Sequence, residues 1–184
     1  MRKINTRAIV IMALSVTLNI VCSNVILMLR LPIYLDAVGT IFAASLLGPF
    51  AGMAVGGATG VIMGVTTDIF SLFFMPVQLI TGTVAGILYK RKQANQLKHS
   101  WWLALAISLP GTILSTIITV ILFNGITSAG SSIIVQLLYG TGMSQSLAVF
   151  LVQVGTDYVD KLLTVIFVSV AGRLIGKRLS VNRN

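Results

Sequence analysis

The sequence predicts an all-α membrane protein in which six transmembrane helices form one compact bundle, a single integral domain over residues 1–184. Hydrophobic residues make up 56% of the chain and charged residues only 9%, and the mean hydropathy is +0.97. A typical soluble domain has about 25% charged residues, so the composition excludes that class. A glycine at every fourth position from 48 to 64, within an apolar segment, also favours closely packed membrane helices.

Six apolar segments approach the roughly 20 residues that cross the hydrocarbon core of a bilayer. We expect spans at about 8–29, 33–48, 50–69, 76–89, 101–123 and 147–174, of which the second and fourth are short. The turn at 48–50, Gly-Pro-Phe, is minimal. An apolar piece at 133–139 predicts a short interfacial helix within the long fifth connection.

The glycines at 48, 52, 56, 60 and 64 are named here the glycine ladder. In a soluble helix each would cost roughly 1 kcal/mol relative to alanine. In a bilayer the cost of unsatisfied backbone groups maintains the helix, and glycines on one side let a second helix approach closely. Each four-residue step advances about 40° beyond a full turn, so the stripe winds around the helix. The ladder therefore predicts a packing surface.

Basic residues flank the apolar segments and set the expected topology. The net charge is +9, and the clusters near residues 2–7, 90–98 and 173–183 all fall on one side of a six-span chain. By the positive-inside rule, both termini and the 90–100 loop are cytoplasmic, with Arg30 alone on the outer side. The positive charge therefore indicates membrane topology, and we expect no nucleic-acid partner.

The sequence contains few of the residue types that enzymatic catalysis would need. The chain has one histidine, one cysteine and no glutamate, which excludes a familiar structural zinc site or a histidine-based triad. The stretch 172–178, G-R-L-I-G-K-R, is one residue too short for a phosphate-binding loop and lacks its Ser/Thr. We expect no enzyme activity, no metal and no cofactor bound by this chain.

The sixth predicted span contains three charged residues, Asp157, Asp160 and Lys161. Asp157 and Lys161 share a helix face, and charges within a membrane should face the bundle interior and be paired. Two interpretations stay open, a ligand or ion site and an internal ion pair. Asp157 lies nearer the outer side and is the candidate ligand residue, whereas Asp160 and Lys161 are expected to form a structural ion pair.

Other polar and aromatic residues outline an expected outward pocket. Two glutamines lie in the same half of the membrane, and for each the alternative role is an interhelical hydrogen bond. Amides and aromatic rings together suit a small neutral or zwitterionic ring compound. Asp36 is expected to pair with Arg30, and Asp68 to end a helix. The predicted pocket residues are Gln78, Gln153, Tyr34, Asn124, Tyr139, Phe70, Phe73 and Phe74.

Four local motifs resemble one known family. They are TRAIVIMALS at 6–15, LPIYLDAVGT at 31–40, GPFAG at 48–52 and DKLLT at 160–164. With the size, the six predicted spans and the cytoplasmic basic loops, they make the chain similar to the substrate-binding membrane subunits, or S components, of energy-coupling factor (ECF) vitamin transporters. The resemblance covers essentially the whole chain.

The resemblance implies a bacterial cell-membrane subunit that captures a scarce micronutrient with high affinity. It would dock on a transmembrane coupling protein driven by two ATPase subunits, which use the ATP, and topple to release its cargo inside. Spans one to three would face the coupling protein, so Gly52, Gly56 and Gly60 are expected at that interface, away from the ligand. The family's Ala-x-x-x-Ala docking pattern aligns to Ala13 and Thr17, where the second alanine is replaced.

The cargo is left open by these motifs. Pyridine, pyrimidine and nucleoside-like compounds are the candidates, because no basic cluster faces outward to bind a strongly anionic cargo such as folate. The lack of metal-binding histidines disfavours nickel or cobalt ions. Two alternative functions are a stand-alone secondary transporter that uses Asp157 or Asp160 as a proton relay, and a membrane sensor of small molecules.

Overall fold

The computed structural model describes residues 6–90 and 97–181, and these residues form α-helices without a single strand among them. A 3-10 turn, Leu97–His99, precedes the sixth helix. Part of the basic clusters, Arg2, Lys3, Arg91, Lys92 and Arg183, lies outside the described residues. The helices are α1 (Thr6–Met28), α2 (Val38–Leu47), α3 (Pro49–Thr66), α4 (Phe70–Phe73), α5 (Met75–Tyr89), α6 (Ser100–Phe123), α7 (Ser131–Gly140) and α8 (Gln145–Val181).

Three of the described helices, α1, α3 and α6, are long and apolar enough to cross a membrane by length and composition. Helices α2, α5 and α7 are shorter and apolar. Helix α8 has 37 residues; Asp157, Asp160 and Lys161 interrupt its apolar sequence, and three basic residues follow between 173 and 178. The all-helical membrane architecture is thus confirmed, and the count of six spans and the orientation of the termini stay predictions. The apolar piece at 133–139 forms part of α7.

The turn between α2 and α3 follows from two residues. Gly48 has φ of 94°, a left-handed conformation that residues with a side chain rarely adopt. Pro49 then occupies the first turn of α3, where its missing N–H would have no helical partner in any case. The chain therefore reverses within one residue, and α2 and α3 lie side by side.

The glycine ladder packs against helices of this same chain. A Cβ added at Gly52 would lie 2.7 Å from the carbonyl oxygen of Gly82, and one at Gly56 would lie 2.8 Å from that of Gln78. Gly60 and Gly64 likewise approach Met75 and Leu72. Because the contacted residues run backward from 82 to 72 as the ladder runs forward, α3 packs antiparallel on α5 and α4. The predicted close packing is confirmed.

The predicted partner of the ladder is wrong, however. Gly52, Gly56 and Gly60 are buried within the chain against α5, so in this arrangement they present no surface to a coupling protein. The expected distance from the ligand site is wrong too, because Gly56 contacts Gln78 and Gly60 lines the cavity described below.

A buried amide joins the first three helices. Asn19 of α1 is fully buried, and its Nδ2 donates to Thr40 Oγ1 at 2.9 Å and to Thr59 Oγ1 at 3.0 Å. Its Oδ1 accepts a hydrogen bond from the backbone N–H of Gly39 at 2.6 Å. Gly39 also packs directly on the backbone of Ser15. Asn19 therefore holds α1 against α2 and α3, a role that the sequence analysis did not assign.

The apolar core lies between α2, α5, α6 and α8, with Ile41, Ala85, Ile107 and Val165 at its centre. A second cluster packs α7 on α8 through Val135 and Val149, among others. Many large apolar side chains on the outside are exposed. Apolar side chains both in the core and on the outer surface are expected of a helix bundle that is surrounded by lipid tails.

We expect Gly82→Ala to lower the free energy of unfolding by about 1–3 kcal/mol or more, because the new Cβ would overlap the backbone of Gly52. The control is Gly155→Ala on α8, where an added Cβ meets nothing within 4 Å, and alanine is the better helix former. Thermal denaturation in detergent measures both. Equal stability of the two variants would contradict the packing described here.

Asn19→Ala should destabilise the protein by about 1–3 kcal/mol, because it leaves the Gly39 N–H buried without an acceptor. Asn24→Ala is the matched control, since Asn24 lies on the same helix and is only partly buried. Thermal denaturation with the same detergent compares the pair. A larger loss for Asn24→Ala would show that the Asn19 contacts do not hold α1.

Candidate ligand-binding site

A cavity opens among α1, α3, α5, α6 and α8 and has a volume of about 90 Å³. One water molecule requires roughly 10–15 Å³ on the same measure, so the cavity has space for a small organic molecule. Its wall is rich in polar groups although the protein is apolar. They include Tyr34, Asp36, Gln78, Gln153, Asp157 and Lys161.

Helix α8 contributes three of these groups from one face. Gln153, Asp157 and Lys161 follow one another at intervals of four residues, so successive turns present them to the same side. All three are buried, and all three line the cavity. The charged face of α8 is therefore turned into the bundle, as its cost in contact with lipid requires.

Asp157 accepts hydrogen bonds from hydroxyl groups of α6. Thr112 Oγ1 donates to its Oδ2 at 2.7 Å, and Ser115 Oγ lies 3.5 Å from the same oxygen. The side chain is only 9% exposed. Among the described residues, none donates a hydrogen bond to the other oxygen, Oδ1. Asp157 therefore keeps acceptor capacity at the cavity.

Gln153 has less free hydrogen-bonding capacity than Asp157. Its Oε1 accepts from Thr116 Oγ1 at 2.7 Å and from Ser115 Oγ at 3.1 Å, and its Nε2 donates to Thr119 Oγ1 at 2.9 Å. These contacts join α8 to α6, which is the interhelical role that was the alternative for this residue. Contact of Gln153 with a ligand stays a prediction.

Gln78 connects the cavity to the network around Asn19. Its Oε1 accepts a hydrogen bond from Thr40 Oγ1 at 3.3 Å, and its Nε2 donates to the backbone oxygen of Asp36 at 3.3 Å. Thr40 is also the acceptor for Asn19. Gln78 thus fixes the segment before α2 in place, and its side chain also lines the cavity.

Lys161 lies between two carboxylates. Its Nζ is 2.6 Å from Asp160 Oδ2 and 3.9 Å from Asp36 Oδ1. Asp160 is fully buried, and its Oδ1 accepts the backbone N–H of Leu35 at 2.7 Å. The Asp160–Lys161 contact is the one that the sequence predicts. The predicted pairing of Asp36 with Arg30 is wrong: among the described residues, the ion-pair partner of Asp36 is Lys161.

The aromatic wall differs from the prediction. Tyr34 lines the cavity and shares a 2.9 Å hydrogen bond with Ser131 Oγ, which connects α7 to the segment before α2. Phe70 and Phe74 also line it. Their rings pack around Phe123 with centroid distances of 4.8 and 6.0 Å.

Three predicted pocket residues lie outside this wall. Phe73 is 43% exposed and packs its ring edge-on against Phe123. Asn124 is exposed and ends α6 with φ of 46°. Tyr139 is 59% exposed on α7. All three side chains are exposed at the surface and none lines the cavity, so their assignment to its wall is wrong.

The hydroxyl groups of α6 are site residues that the sequence did not predict. Ser108, Thr112, Ser115 and Thr119 recur at intervals of three or four residues within an otherwise apolar segment, and all four are buried. That spacing places them on one helix face and could have identified the face toward α8. No three His, Cys, Asp or Glu side chains within residues 6–90 and 97–181 are grouped to hold a metal ion.

The all-helical apolar chain and its internal polar cavity define the class of this protein. It is a membrane protein with an internal cavity of small-molecule size. Over residues 7–175 the chain matches the family model described as ECF transporter, substrate-specific component. The chain belongs to this family, which confirms the resemblance of its motifs. Members are substrate-binding transporter subunits and not enzymes. Neither a curated protein nor a solved structure matches the chain.

We expect Asp157→Asn and Gln78→Ala to weaken ligand binding about tenfold or more, because each removes a buried polar group at the cavity. Asp68→Asn is the comparison, since Asp68 also lines the cavity but follows the end of α3, where Ser71 Oγ donates to it at 3.1 Å. Its effect should be smaller. Calorimetric titration with the compound that co-purifies with the protein measures the three affinities, and equal losses would remove this assignment.

Proposed function

We propose that this chain is the substrate-capture subunit of an ECF importer in a bacterial cell membrane. The cargo would be a vitamin or related small ring compound, with pyridine, pyrimidine and nucleoside-like compounds as candidates. The observation that supports this most directly is the buried polar cavity, since aromatic side chains and a free carboxylate oxygen lie together in a chain of this family. Such a site binds and does not transform its ligand.

The position of the cavity supports capture from outside. Three connections contribute to its wall, namely the segment before α2 with Tyr34, the turn after α3 with Asp68, and residues 127–129 before α7. In the proposed topology, α1, α2, α3, α5, α6 and α8 span the membrane, and these three connections share the outer side. The basic clusters would then lie in the cytoplasm.

Docking on the coupling protein would use the outer face of α1. Ala13 and Thr17 are both exposed, one helical turn apart. Thr17 Oγ1 donates to the backbone oxygen of Ala13 at 3.1 Å, so its hydroxyl is satisfied within the helix. Thr17 then presents its methyl group, much as alanine would at this position. Its substitution for alanine is therefore compatible with close helix packing.

The proposed energy source lies outside this chain. The two ATPase subunits of the ECF module would use ATP, and the chain itself would need no cofactor. One observation favours an alternative, a secondary transporter that moves protons. Asp157 is a buried carboxylate that faces a cavity, as a proton relay requires. Asp160 fits that role less well, because Lys161 and the Leu35 N–H already occupy it.

The test is an uptake assay in cells that express the chain alone or with a coupling protein and ATPase subunits. The co-purifying compound is first identified by mass spectrometry after growth in rich medium. We expect tight binding by the chain alone, and uptake only with the complete module. An ATPase-inactive module is the control. Uptake by the chain alone that collapses with the proton gradient would replace this proposal with the secondary transporter.

A further inference from the structure

The charges around the cavity do not balance within the chain. Asp36 and Asp157 both line the wall, and Asp160 lies directly behind it in contact with Lys161. Lys161 is the only basic residue among the described residues of the wall. With Asp68, which also lines the wall, four carboxylates therefore surround one ammonium group, and an unpaired charge is costly where it is buried.

The ammonium of Lys161 is committed to two of those carboxylates. Its 2.6 Å contact with Asp160 is a charge-assisted hydrogen bond, and Asp36 Oδ1 lies 3.9 Å from the same nitrogen. Asp160 is fully buried and immobilised by the Leu35 N–H as well. The charge of Lys161 is therefore already neutralised. An anionic ligand could bind the ammonium group only by breaking its contacts with Asp160 and Asp36.

Among the described residues, Asp36 and Asp160 form ion pairs with Lys161, whereas Asp157 forms none within 4.0 Å. Its hydrogen-bond donors, Thr112 and Ser115, are neutral hydroxyls that approach one oxygen, Oδ2. Its Oδ1 accepts no hydrogen bond from the described residues, and the residue lines the cavity while being only 9% exposed overall. A cationic N–H donor in the cavity would satisfy this oxygen and balance its charge.

We propose that the ligand carries a protonated nitrogen and that Asp157 Oδ1 binds it, so that the site takes cationic ring compounds in preference to neutral or anionic ones. Phe70 and Phe74 line the same wall, and aromatic rings attract both a flat ring and a positive charge. Asp36 and Asp68 add negative potential that repels carboxylates. This inference rests on the proposed function and specifies the substrate class of its site.

The test uses three probes with the same ring and different charge, namely benzylamine, benzyl alcohol and benzoate. Each is titrated into the purified full chain in lipid nanodiscs at pH 7, after any co-purified compound has been removed by dialysis. We expect benzylamine to bind about tenfold or more tightly than benzyl alcohol, and benzoate more weakly than either. A second series replaces potassium by sodium at constant ionic strength, to separate an organic cation from an inorganic one.

Two variants at one position isolate the charge. Asp157→Asn should abolish the preference for benzylamine over benzyl alcohol, whereas Asp157→Glu should retain it. Thr156→Val is the matched control, because the Thr156 hydroxyl donates to the backbone oxygen of Val152 and the residue does not line the cavity. Should the Asn variant fail to fold, the ratio of benzylamine to benzyl alcohol affinity in the unmodified protein still decides.

The inference is overturned if benzyl alcohol or benzoate binds as tightly as benzylamine, or if no probe binds the folded protein. Saturation by sodium alone would also overturn it, and so would a preference for benzylamine that survives in Asp157→Asn. Its failure is distinct from that of the proposed function. Suppose that the complete module takes up a co-purified compound that is neutral or anionic. The proposed role as capture subunit would then be retained, and only the proposed preference for a cation would be refuted.

Discussion

The close approach of α3 to α5 is the contact on which the site depends. Because glycine places no side chain between them, the backbone at Gly56 meets that of Gln78, and Gly60 meets Met75. This approach puts Gln78 within reach of Thr40 and of the Asp36 backbone. A methyl group added at Gly56 would overlap Gln78 and so displace that part of the wall. The helix packing therefore also shapes the candidate ligand site.

The buried polar groups differ in how many of their hydrogen-bond donors and acceptors have a partner. Asn19, Gln153 and the Asp160–Lys161 pair make their hydrogen bonds within the chain, so they stabilise helix contacts. Lipid offers no alternative partner to such groups, so each is paired inside the bundle, Asn19 with threonines of α2 and α3 and Gln153 with hydroxyls of α6. Asp157 differs because, among the described residues, none donates to its Oδ1. This open acceptor is what distinguishes Asp157, the proposed ligand residue, from the groups that stabilise helix contacts.

The location of the ladder also changes how the outer surface is understood. Gly52, Gly56, Gly60 and Gly64 are internal, so the exposed small residues of α1 are the candidates for contact with a partner. Asn19 lies on the opposite, buried side of that same helix and reaches Thr40, which bonds to Gln78. The helix proposed to dock is thus connected by hydrogen bonds to the wall of the cavity.

Hydropathy, glycine spacing and helical periodicity are local properties, and the sequence by itself determined what depends on them. These are the all-helical apolar architecture, the close packing of α3, and a charged face of α8 that includes Asp157 and the Asp160–Lys161 contact. Tertiary structure decided which partners meet. The rotation of each helix about its axis and contacts as distant in sequence as Leu35 with Asp160, 125 residues apart, are not encoded in any local pattern. Hence Asp36 pairs with Lys161, and of the three predicted phenylalanines Phe70 and Phe74 line the wall whereas Phe73 does not.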